Sequence, residues 1–188
     1  YYDDLGDVER FCLEEDTLPV EHSLESWTAD ETIRYLREAR AESQPFFLMT
    51  SFERPHPPLT VPEGCPVQYD PDALTLPENR EEVHSSFTFH RNVELRWRAS
   101  EQGEDALREA LANYYTLTSL IDQNIGRIVD CLEREGLRDD TLIVFCADHG
   151  DFAGEYSRMA KGFPYDALHR VPFVWNMPGT VSEGKVEE

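Results

Sequence analysis

Asp148 and His149 stand side by side, followed by Gly150 and Asp151, at the end of an apolar run spanning residues 141–147. A carboxylate and an imidazole adjacent at a strand end can turn toward one cation. The carboxylate supplies charge and a neutral ring nitrogen fills a second coordination position. Gly150 lets the chain turn sharply and lets a ligand approach closely. The plainer alternative is a strand-end turn in which Asp148 caps the next segment. Two neighbours cannot complete a metal shell, so further ligands must come from elsewhere. Lys161 sits between Ala160 and Gly162 and is one of two lysines, the other being Lys185, against fifteen arginines. Its ammonium can place a point charge on a tetrahedral anion, or stand as a solvated surface group. His56 is boxed by Pro55, Pro57 and Pro58, a rigid setting that limits the entropy lost in holding the ring still. It can donate to a sulfate or phosphate oxygen or act as a general acid, or simply bond to backbone. His22, His84, His90 and His169 lack such a setting and read as structural or surface residues.

Any anion site here works against the bulk charge. The chain carries 38 acidic and 17 basic residues, a net charge of −21. A surface so acidic repels nucleic acid and anionic membranes and fits an adaptation for solubility. A sulfate or phosphate site therefore needs positive charge concentrated locally by a metal, Lys or Arg. The four cysteines, Cys12, Cys65, Cys131 and Cys146, form no C-x-x-C pair, which argues against a zinc knuckle or redox motif. Cys131 and Cys146 lie in apolar patterns and read as buried thiols. No apolar run approaches the ~20 residues that cross a bilayer.

The elements that position these residues alternate between helix and strand. Residues 1–25 read as an irregular acidic leader. Ser26 or Thr28 is the expected N-cap of a helix whose apolar positions are Ala29, Ile33, Leu36 and Ala39. Residues 46–51 suit a buried parallel strand, and the prolines after it force a loop. Residues 59–100 read as irregular. A long helix is expected from about residue 104 to 135, with a stripe of Leu107, Leu111, Tyr114, Thr118, Ile121, Ile125, Ile128 and Leu132 stopped by Gly136. The run at 141–147, apolar on both faces, reads as a central strand, and residues 171–175 as a third. This is α/β order, in which ligands gather beyond the C-terminal ends of strands. His56 and the Asp148–His149 pair both follow such ends.

These residues also resemble one family. The strand from Thr141 into Asp148, His149, Gly150 and Asp151 resembles the corresponding segment of the sulfatases. Gly154 and Glu155, Lys161 and Gly162, Tyr165 and Asp166, Arg170 to Phe173, and Pro178 and Gly179 follow in the same order. Pro45 to Phe52 with Pro55, His56, Pro57 and Pro58, and Tyr114 to Ile128, resemble two upstream segments, so that the likeness covers residues 26–180. It implies an alkaline-phosphatase-like α/β sandwich, here partial, with a mainly parallel sheet flanked by helices. It implies a divalent metal at Asp148 and His149: Ca2+ in a sulfatase, Mn2+ or Zn2+ in a phosphoesterase. It implies sulfate contact by Lys161 and His56, a small-molecule or carbohydrate sulfate ester as substrate, and attack by a hydrated formylglycine made within C/S-x-P/A-x-R. No cysteine or serine here fits that motif; Cys65 is followed by Pro66, Val67, Gln68 and Tyr69. The paired aspartates that follow the family's first strand are absent too, and Tyr156 stands where many relatives place His or Arg. The expectation is a partial catalytic domain, inactive alone, whose nucleophile lies outside residues 1–188. A phosphodiesterase or phosphonate monoester hydrolase of the same superfamily, or a non-catalytic binding member, are the alternatives.

Overall fold

The computed structural model of the chain describes residues 16–80, 82, 99–162, 164–182 and 184. Most of the expected leader, Cys12, His84, His90 and Lys185 lie outside the described residues. β1 (Asp16–Pro19) leads through a 3-10 turn into α1 (Leu24–Glu42). The N-cap of α1 is Ser23, whose Oγ accepts the Ser26 amide at 3.2 Å. The expected caps at Ser26 and Thr28 are therefore already inside the helix. Ser26 turns its own hydroxyl back to the Val20 carbonyl at 2.6 Å, which ties the entering turn to the helix. Ala29, Thr32 and Leu36 form the buried face of α1, and the helix ends at Ser43 in the left-handed region, φ 53°, just before Pro45.

The long helix, α2, spans Ala99–Arg134. Its first half packs Leu107, Ala110, Leu111 and Leu117 against Leu59 and Leu76. Its last turns pack Cys131 and Leu132 against Leu36 of α1. Because the partner changes along the helix, the buried face does not follow one stripe. Thr118, expected inward, is exposed, while Leu120 and Asn124 are buried. Asn124 is satisfied there: its amide donates to Leu120 O at 3.0 Å and its oxygen accepts from Arg127 at 2.8 Å, which removes most of the penalty of burial. Gly136, at φ 66°, stops the helix as expected, with the Leu137 amide bonding back to Leu132 O at 2.8 Å; a left-handed residue there favours glycine.

Two short sheets are described. β1 pairs in parallel with β2 (Pro62–Glu63), inside the stretch expected to be irregular. β3 (Ile143–Cys146) pairs antiparallel with β4 (Phe173–Asn176), Ile143 opposite Asn176 and Cys146 opposite Phe173. Residues 46–51 form no described strand, and Phe47 and Met49 are 96% and 80% exposed. A strand exists only through its ladder partners, and no described strand lies beside this run. β3 likewise has β4 as its only described neighbour and leaves Val144 and Phe145 exposed. Cys146, on this open strand, is exposed rather than buried; Cys131 is buried as expected. The core thus sits around α2, and β3 delivers its C-terminal end to the Asp148 turn.

Candidate functional site

The turn after β3 is built so that two donors face outward. Asp148 Oδ1 accepts the His149 amide at 3.0 Å, and the carboxylate stays 87% exposed. His149 Nδ1 lies 2.7 Å from the Gly150 carbonyl. A carbonyl only accepts, so Nδ1 carries the proton and neutral Nε2 presents its lone pair, the tautomer that metal-binding histidines use. Nε2 stands 3.5 Å from Asp148 Oδ2, close enough for both to meet one cation. The donor set is incomplete: among the described residues no group of three or more His, Cys, Asp or Glu gathers to hold a metal ion.

Gly150 serves this turn sterically. Its amide donates to Leu168 O at 2.9 Å, and a Cβ would lie 1.9 Å from Ala167 O. Its φ is not in the left-handed region, so the lack of a side chain matters because the turn presses on the short helix α3 (Asp166–His169).

Asp151 turns inward. Its Oδ1 accepts the amides of Ala153 at 2.8 Å and Ala160 at 3.0 Å, and the Phe152 amide donates back to Ala160 O at 3.1 Å. Burial pushes the Asp151 carboxyl up from its ordinary value, opposed by those two amides and by the nearby His149 and Lys161. One carboxylate therefore clips the Asp148–His149 turn to the residue before Lys161, whose side chain is exposed. The sequence reading gave Asp151 no role; its only signal was a second carboxylate three residues after Asp148. Gly154, at φ 94°, continues the loop over α2, where a Cβ would come within 3.0 Å of Leu107. Phe152 anchors the loop against Leu168, with Tyr156 and Tyr165 packed on it. Tyr156 is held at φ 53°, and packs against Tyr165 with ring centroids 4.9 Å apart and planes tilted by 48°.

His56 stands in a second loop. Its amide donates to Glu53 O at 3.1 Å, and Nδ1 lies 2.8 Å from Pro57 O, which again leaves neutral Nε2 as an acceptor. Donation from Nε2 to an anion or leaving group requires the imidazolium form. The ring borders a cleft of about 230 Å³ whose walls include Leu18, Leu24, Glu25, Arg54 and Pro58. None of Asp148, His149 and Lys161 is among those walls. The structure thus joins Asp148, His149 and Lys161 through Asp151 and places His56 on a cleft that none of the three lines. His22 and His169 are exposed.

A profile of the sulfatase family matches residues 9–188. An arylsulfatase of Clostridium perfringens is 34% identical over 160 residues, covering 85% of this chain and 33% of its own length. Phosphonate monoester hydrolases superpose on the chain. That of Agrobacterium radiobacter has a TM-score of 0.69 at 26% identity over 95% of this chain and 40% of its own. That of Silicibacter pomeroyi has a TM-score of 0.71 at 23% identity over 95% and 39%, a likeness of fold. The fold is the alkaline-phosphatase-like α/β arrangement, and the chain spans about a third of the length of the relatives it matches.

Proposed function

The chain belongs to the sulfatase family of hydrolases, and on that footing we propose that it carries the metal-and-anion side of an active site that hydrolyses sulfate esters. The observation that carries this reading is the Asp151 clip, which keeps two outward donors and a lysine in one loop cluster. Asp148 and His149 would hold a divalent cation, Ca2+ in a sulfatase and Mn2+ or Zn2+ in a phosphoesterase, which when bound polarises a sulfate or phosphate oxygen. The exposed carboxylate and the Nε2 lone pair fit that task, with further ligands supplied from outside the described residues. Lys161 neutralises charge on the non-bridging oxygens, offsetting locally the −21 of the whole chain. His56 borders a cleft that Asp148, His149 and Lys161 do not line; as general acid it would keep Nδ1–H bonded to Pro57 O and give an Nε2 proton to the departing alcohol oxygen, which requires a substrate that reaches from the metal turn to this cleft. The residues present do not fit a formylglycine: Cys65 lacks the motif and is 6% exposed, so no step is derived through it. On this reading no residue of the chain matches the nucleophile motif, and residues 1–188 by themselves are expected to show no ester turnover. Candidate substrates are small-molecule or carbohydrate sulfate esters.

In the complete enzyme, Asp148→Ala should abolish ester turnover and lower bound metal measured by atomic emission; full activity with normal metal content refutes the assignment. The 26% identity to a phosphonate monoester hydrolase over 95% of the chain supports a second reading, hydrolysis of phosphonate or phosphate esters. Parallel rates on an aryl sulfate and an aryl phosphonate monoester decide between them.

A further inference from the structure

Glu25 lies in the first turn of α1 and is 2% exposed. Its Oε1 is sealed from solvent and has no hydrogen-bond partner. Arg54 faces it, its Nε 3.8 Å from Oε1 and its side chain 19% exposed. Oε1, buried and without a hydrogen bond, faces that opposite charge, and removing one partner would leave the other uncompensated. Arg54 does not end there. Its Nη1 donates to the Pro58 carbonyl and its Nη2 to Thr60 Oγ1 at 2.9 Å. Arg54 and Pro58 flank His56 in sequence, so their bond closes a short loop of chain with His56 midway along it. The same loop supplies Pro57 O, the acceptor that fixes the ring's tautomer.

We propose that Glu25 is a positioning residue: its charge seats the Arg54 guanidinium, which clamps the 54–58 loop and sets the direction of His56 Nε2. The consequence for turnover rests on the reading of His56 given above; the clamp itself does not. A planar fork reaching two acceptors at fixed angles is what arginine provides and lysine does not, and the carboxylate beneath it restricts its rotamers. With Glu25 2% and Arg54 19% exposed, the pair is largely shielded from water, which would otherwise weaken the attraction.

The test uses the complete enzyme with a p-nitrophenyl sulfate and a phosphonate monoester as probes, and 15N NMR of the His56 ring. Glu25→Gln keeps the shape and removes the charge. It should leave the Nδ1 proton of His56 unprotected and lower kcat by about tenfold to a hundredfold, the penalty of misplacing a reacting group by about 1 Å, with KM little changed. Glu25→Asp should restore part of both. Arg54→Lys should reproduce the Glu25→Gln signature, and provides the answer if that variant folds poorly. In a His56→Ala background, Glu25→Gln should add nothing further to the loss of kcat. If Glu25→Gln leaves the ring proton protected and kcat intact, the clamp is refuted, whatever His56→Ala does. If the ring is released but His56→Ala leaves kcat unchanged, the clamp stands and the catalytic reading of His56 falls.

Discussion

Both candidate histidines spend Nδ1 on a neighbouring carbonyl, Gly150 O for His149 and Pro57 O for His56. The same device serves two ends: it gives one ring a lone pair for a cation and gives the other a fixed Nε2 direction. Residue types and spacing revealed Asp148, His149 and Lys161 as candidates, but not the carbonyl that each ring would find. They gave Asp151 no role, because the inward turn of its carboxylate depends on where the Ala160 amide lies. Tyr114 feels that choice. Burial first, and then the charge of Asp151, push its phenol from 10.0 up to about 12. The folded state therefore holds the proton more tightly than the unfolded chain. That contribution to stability is complete below pH 10 and is lost as the pH climbs to about 12. Ultraviolet titration of phenolate should show one tyrosine ionising late, and Tyr114→Phe should remove that component. A Tyr114 that titrates with the exposed tyrosines would mean that neither burial nor the Asp151 charge acts on its phenol.

At the scale of elements, the two long helices were legible because each carries its own hydrogen bonds, although the buried face of α2 follows its changing partners and not one stripe. The start of α1 was misjudged by one turn because three hydroxyls, Ser23, Ser26 and Thr28, are plausible caps by type; only the 3.2 Å bond from the Ser26 amide selects Ser23. Strands are different. Residues 46–51 have the composition of a strand but no described partner, and composition cannot supply one. The contact between the Asp148 turn and α3 was equally hidden, since it depends on two backbones meeting. It makes a sharp prediction. Gly150→Ala must displace the Ala167 carbonyl, which would lie 1.9 Å from the new methyl, so overpacking should cost about 1–3 kcal/mol. The denaturant midpoint measures it. The distortion should also weaken metal retention by Asp148 and His149, because the turn that aims them leans on α3. An alanine variant as stable as the parent would show that the two backbones part freely.

For the whole molecule, two opposing surface terms decide how the 188-residue chain behaves in solution. Phe47, Met49, Phe173 and Trp175 are 96%, 80%, 63% and 51% exposed, and exposed apolar patches favour association. A net charge of −21 on every copy opposes it. Repulsion between surface charges is screened by salt, with a Debye length of about 10 Å at 0.1 M and about 3 Å at 1 M, whereas apolar contact is not weakened. Association of the chain should therefore grow with ionic strength, seen as a rising weight-average mass in sedimentation velocity. Replacing Phe47 and Phe173 with glutamate removes apolar area and adds charge of the repelling sign, so that variant should stay monomeric to higher salt. Had association rested on ion pairs between the few arginines and the many carboxylates, added salt would dissolve it instead, so the sign of the salt dependence alone separates the two forces.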